Sequence, residues 1–186
     1  MKEFISLWLA LTCFHASASA ENQDLKLQLA QTSTESRIVI GSKTSKIYAL
    51  LYNSSQRDIN VWQFGTSYGM TAFTIEVFDR QKIKLGEIKN TRTSWVSDWL
   101  AKSVVKPGHH QIFPLPVDLN NRWELSGALA DFPLNVWHDG LIKVKYKVRL
   151  DHRAKKFNVW TGSLSSDYSP YKFRISAKKE PHNQAK

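Results

Sequence analysis

The segment Leu141 to Leu150 constrains the fold more than any other part of the chain. Ile142, Val144, Tyr146, Val148 and Leu150 alternate strictly with Lys143, Lys145, Lys147 and Arg149. Successive side chains of a β-strand point to opposite faces, so a period of two predicts one buried and one wet face. A sheet with one wet face is antiparallel as a rule, because parallel sheets are covered on both sides by helices.

The rest of the chain repeats this theme more weakly. Leu25, Leu27 and Leu29 alternate with Lys26 and Gln28, and Tyr171, Phe173 and Ile175 alternate with Lys172 and Arg174. Arg37–Ile40, Ile59–Phe64, Ala72–Phe78, a short partner around Ile83, Leu85 and Ile88 with Gly86 as a bulge, and Phe157–Thr161 also read as strands. Lys46–Asn53 is apolar on both faces, which predicts a central strand. Pro114 and Pro116 confine the strand opened by His110, Ile112 and Phe113 to an edge. Asn120–Pro133 reads as irregular, with Trp123 and Leu125 turned inward. In Ser94–Ala101 the apolar residues fall at helical spacing, with Ser94 as a cap. The expectation is an all-β fold, an immunoglobulin-like antiparallel β-sandwich of eight or nine strands, with at most one short helix near 94–103.

Residues 1–20 have the three parts of a secretory signal. Lys2 stands near the start, Phe4–Phe14 is an apolar run, and Ala18-Ser19-Ala20 is a small-x-small cleavage site. That run is too short to span a bilayer, and no later stretch is apolar enough. The mature chain is expected to begin near Glu21, with one domain over 21–178 and a polar tail over 179–186. The sole cysteine, Cys13, lies in the leader. A disulfide-free exported domain fits a bacterial periplasm or exterior better than a eukaryotic secreted module. Asn53-Ser54-Ser55 is formally a glycosylation sequon and otherwise a turn.

Cleavage removes Lys2 and Glu3 together, so the net charge of +10 is unchanged. A balance of that sign favours an anionic partner. The natural docking face is the ladder of Lys143, Lys145, Lys147 and Arg149, widened by Lys172 and Arg174 if the last strand shares its sheet. Neighbouring charges about 6–7 Å apart repel by only about 0.6 kcal/mol in water, so a merely solvated face is equally self-consistent. Six tryptophans lie beyond the leader. Most belong in a core, and Trp99 and Trp137 are the two expected to face outward and anchor a contact.

Other chemistries find less support. His109 and His110 are adjacent and face opposite sides of a strand, and no histidine pair has helical ligand spacing. A metal site or metal-dependent enzyme would have to bring His110 and His138 together through the fold. No G-x-S-x-G or H-E-x-x-H motif is present, and the carboxylates are scattered. The expected function is therefore that of an exported non-enzymatic binding protein without cofactor, engaging an acidic protein or anionic polymer rather than nucleic acid. Recognition of carbohydrate or envelope polymer is the alternative.

Three features carry a family resemblance. They are the strand followed by Asn53-Ser54-Ser55, the Tyr68-Gly69 step before Phe73–Asp79, and Val105-Lys106-Pro107-Gly108 before a strand. In these the chain resembles small bacterial immunoglobulin-like modules, among them the BsuPI-type proteinase-inhibitor domains. Arg80 stands where those domains usually have glycine, and the segment Trp95–Trp99 is unlike them. The resemblance implies an immunoglobulin-like fold and assigns no inhibitory residue.

Overall fold

The computed structural model describes residues 24–30, 36–91, 100–119 and 123–176. The leader, the tail over 179–186, and Trp95 and Trp99 with most of the helix expected near 94–103 lie outside the described residues.

The described chain is all-β, with twelve strands and two short helices. In order they are β1 (Leu25–Leu29), β2 (Arg37–Ile40), β3 (Lys46–Asn53), β4 (Ile59–Trp62), α1 (Ser67–Thr71), β5 (Phe73–Phe78), β6 (Lys84–Asn90), β7 (Lys102–Val105), β8 (His110–Pro116), β9 (Trp123–Ser126), β10 (His138–Val148), α2 (His152–Phe157), β11 (Gly162–Ser165) and β12 (Ser169–Ile175). A single 3-10 turn, Gly127–Asp131, follows β9.

The strands form a three-stranded sheet in the order β1-β3-β8, a seven-stranded sheet in the order β2-β12-β10-β5-β6-β9 with β11 beside the end of β10, and a ribbon of β4 and β7. The alternating segment at 138–148 is thus the middle of the larger sheet. Ile142, Val144 and Tyr146 are fully buried, and the lysines between them face out. The strand ends at Val148, so Leu150 escapes the buried face and is 64% exposed.

The two sheets face each other across an aromatic core. Phe113 of β8 lies 4.9 Å from Phe73 of β5 and 6.4 Å from Tyr146 of β10, ring centre to ring centre. Phe64 closes the group edge-on against Phe113 at 6.0 Å. Trp62 and Trp123 are buried as well, and Trp160 stacks on Tyr146 at 5.8 Å. Among the described residues the buried apolar side chains other than Met70 and Phe78 form one connected cluster.

Several local expectations are corrected. β2 pairs with β12 in parallel, so the larger sheet is not purely antiparallel. Lys102 and Ser103 open β7 rather than ending a helix. Short helices form elsewhere: Thr66 caps α1 by accepting a hydrogen bond from Gly69 N–H, and Asp151 caps α2 by accepting from Ala154 N–H at 2.7 Å. Asn158, left-handed at φ 49°, stops α2. Phe157 therefore ends a helix, and of the strand expected over 157–161 only a bridge from Val159 to Asn60 forms. Trp123 belongs to a strand, which pairs with β6. The pairing of β5 with β6 slips between Val77 and Phe78, next to Gly86, which is the expected bulge.

Asn53 joins the three-stranded sheet to the ribbon. Its buried Nδ2 donates to Arg57 O at 2.7 Å and Val105 O at 2.8 Å, and its Oδ1 accepts from Ser55 N–H and Oγ–H. The sequon amide is thus a structural strut in the folded chain.

Candidate functional site

The outward face of the seven-stranded sheet gathers the predicted basic residues. Lys172 and Arg174 lie on β12, hydrogen-bonded directly to β10, and point outward between buried Tyr171, Phe173 and Ile175. The register places Lys172 opposite Asp139. Asp139 and Lys147 stand eight residues apart on β10, so the two ends of the face are about 26 Å apart. The ladder and the last strand share one face but form separate clusters on it.

The middle of the ladder is engaged within the protein. Glu76 of β5 is buried, and its Oε1 accepts hydrogen bonds from Lys145 Nζ at 2.8 Å and Lys84 Nζ at 2.6 Å. Lys84 also pairs with Glu87. Burial pushes the Glu76 carboxyl up, but the hydrogen bonds and charges of the two lysines outweigh it and hold the group below the usual carboxylate range. Glu76 is therefore the shared counterion of Lys84 and Lys145. Lys143 is spent differently: its ammonium and that of Lys82 each lie 5.1 Å from the centre of the Tyr168 ring.

The first cluster is at the start of β10. Leu134, Val136 and Trp137 are all exposed, Trp137 by 43%. The hydrogen bond from Asn135 N–H to Ile175 O at 2.7 Å ties this loop to the end of β12. The Arg174 guanidinium sits 5.0 Å from the Trp137 ring centre and that of Arg37 6.0 Å from it. Arg37, Trp137, His138, Asp139 and Lys172 line a hollow of about 270 Å³. Arg80 pairs with Asp139 at 2.8 Å, so the acid in this cluster already has a counterion.

The second cluster is at the end of β10. Lys147 and Arg149 are exposed, and neither pairs with an acid among the described residues. Both line a cleft of about 350 Å³ between the end of β10 and α1.

The structure thus brings Trp137, Lys172 and Arg174 together, and Lys147 with Arg149. It diverts Lys143 and Lys145 to Tyr168 and Glu76, and Trp99 falls outside the described residues. Sequence reasoning missed Arg37, Arg80, Glu76 and Tyr168. The pairing of β2 with the last strand brings Arg37 to this face and that of β5 with β10 brings Glu76, and no local spacing signals either pairing.

His110 and His138, the pair a metal site would have to join, lie on different sheets. His110 lies on the three-stranded sheet, 4.7 Å from the Tyr52 ring, while His138 lies on the other sheet between Phe132 and Phe173. Among the described residues no group of three or more His, Cys, Asp or Glu side chains could hold a metal. No helix of the described residues is long and apolar enough to cross a membrane. No protein-family model matches the chain, and neither does any curated protein.

Proposed function

We propose that the protein is an exported, non-enzymatic binding protein that engages an acidic protein or anionic envelope polymer through the outward face of its seven-stranded sheet. The immunoglobulin-like resemblance and the leader-like residues 1–20 belong to this reading, which places the protein in the periplasm or outside the cell. One observation carries it: an exposed apolar loop, Leu134, Val136 and Trp137, is flanked by the guanidinium groups of Arg37 and Arg174. Exposed apolar side chains grouped beside cations have the character of an interface core and its charged rim. The tryptophan supplies contact area, and the cations set approach rate and partner sign.

Retention on immobilised poly-glutamate and on a heparin resin tests the reading. The wild-type protein is expected to elute at higher salt than Trp137→Ala and than the double variant Lys172→Glu, Arg174→Glu. Elution of both variants at the wild-type salt concentration on both resins would remove this face from the function.

A further inference from the structure

The cleft at the far end of β10 has a composition of its own. The backbone there is fixed, because Lys147 N–H donates to Ala72 O at 2.8 Å and so clasps β10 to the residue that follows α1. Trp62 lies 5.1 Å from Tyr68, ring centre to ring centre, and the two line the cleft together with Thr74, Lys147 and Arg149. Arg153 covers Tyr68 at 5.2 Å, adding a third cation beside the cleft. Among the described residues the only acid lining it is Asp151, and its Oδ1 is committed to Ala154 N–H as the cap of α2. The lining is therefore cationic at the rim, hydroxyl-bearing on one side and aromatic on another.

Two cations two residues apart, Lys147 at the last outward position of β10 and Arg149 just past its end, neither paired with an acid among the described residues, suit an oxyanion, and an arginine fork suits a carboxylate in particular. Side-chain hydroxyls on the wall suit the hydroxyl-bearing edge of a sugar ring. A volume near 350 Å³ lies at the small end of ligand sites, so it holds one ring rather than a chain of rings. We propose that this cleft binds a uronate unit, a pyranose ring carrying a carboxylate, with the carboxylate between Lys147 and Arg149 and the ring hydroxyls toward Thr74. The inference rests on the binding reading above and deepens it by naming a ligand class at the end of the face opposite Trp137.

Isothermal titration of the purified protein with glucuronate, with an alginate oligomer and with glucose tests it. The two acidic probes separate a free sugar acid from a unit within a polymer. Glucuronate or the oligomer is expected to bind at least tenfold more tightly than glucose. Lys147→Ala and Arg149→Ala are each expected to lose at least fivefold in affinity, and Arg149→Lys, which keeps charge but not the fork, to lose less. Lys46→Glu, an exposed position on β3 of the three-stranded sheet, is expected to leave glucuronate affinity unchanged. The cleft is overturned if neither acidic probe binds, if glucose binds equally well, or if the Lys147 and Arg149 variants bind as wild type does. Should the Lys172 and Arg174 variant alone lose the ligand, the Trp137 end binds it: the face stands and the cleft falls.

Discussion

Lys145 Nζ donates to Glu76 Oε1 at 2.8 Å across a diagonal of the sheet, although the residue directly opposite Glu76 is Lys143. Lys143 turns instead to the Tyr168 ring. Diagonal neighbours in a sheet are within reach of a long side chain, and here the choice between them sorts an otherwise uniform ladder. Lys145 is part of the scaffold, and Lys147 is not. The Glu76 side chain is only 3% exposed, so its removal strips a buried countercharge from two lysines.

Glu76→Gln is expected to cost about 1–3 kcal/mol of stability at neutral pH, read from urea unfolding. The pH dependence follows from the depressed carboxyl. The contribution of Glu76 is fully present above its ordinary value of 4.5 and disappears as pH falls through the lower folded value. The gap between wild type and variant is therefore expected to narrow between neutral and strongly acidic pH. A gap that widens on acidification would contradict the assignment.

The same sorting predicts two classes of ladder variant. Lys147→Glu and Arg149→Glu alter exposed groups without acid partners among the described residues, and each is expected to change stability by no more than about 0.5 kcal/mol. Lys145→Glu places a carboxylate beside Glu76 and is expected to cost several-fold more. Thermal melts of the three variants in one buffer check this. Equal melting temperatures would mean that the Glu76 contact contributes nothing.

The strand that carries the ladder is legible in the sequence because its period is local: each residue's side is fixed by its neighbours along the chain. The exposure of Trp137 is legible for the same reason, since the turn formers Asn135, Asp139 and Gly140 surround it. Glu76 and Arg37 are not legible as site residues. Glu76 reaches the face through the register of β5 against β10, and Arg37 through the parallel pairing of β2 with β12. Register depends on the whole core. Helix α2 carries its own signals, Asp151 before it and Asn158 after it, but six residues are too few to display a 3.6-residue period. Lys46–Asn53 shows the limit of a pattern read correctly. The strand is central in its sheet, yet only its inner face is buried: on the outer face Tyr48 is 38% exposed and Leu50 and Tyr52 are half-buried.

Asn53 offers a test of the link between sheet and ribbon. Both Nδ2 hydrogens point at carbonyl oxygens, Arg57 O and Val105 O. Asn53→Asp replaces that donor by an acceptor of the same size and sets a buried charge against two carbonyls. A cost of about 3 kcal/mol or more is expected, larger than for Asn53→Ala, which only leaves the partners unsatisfied. Denaturant midpoints of the two variants decide the order. If Asn53→Asp proved the milder change, the Asn53 amide would not be donating to these two carbonyls.

Gly69 sets the position of one cleft wall. A Cβ on this residue would lie 2.2 Å from Gln63 O and 2.8 Å from Gln63 C, both backbone atoms that cannot swing aside. Gly69 N–H is also the donor to the Thr66 cap, and Met70 N–H donates to Thr66 O at 3.0 Å, so α1 is docked on the preceding turn at this point. Gly69→Ala must push α1 outward, and Tyr68 and Thr71 with it. The expected cost is about 1–3 kcal/mol, the usual range for forcing an extra carbon into a packed site. Gly65 provides the control. It needs glycine only for its φ of 97°, and a Cβ there would meet nothing within 4 Å, so Gly65→Ala strains the turn without displacing α1. Chemical shifts of the Trp62 indole, which lies 5.1 Å from Tyr68, report the movement directly. They are expected to change in Gly69→Ala and to stay near wild type in Gly65→Ala. The reverse pattern would show that the close approach of Gly69 to Gln63 does not position the wall.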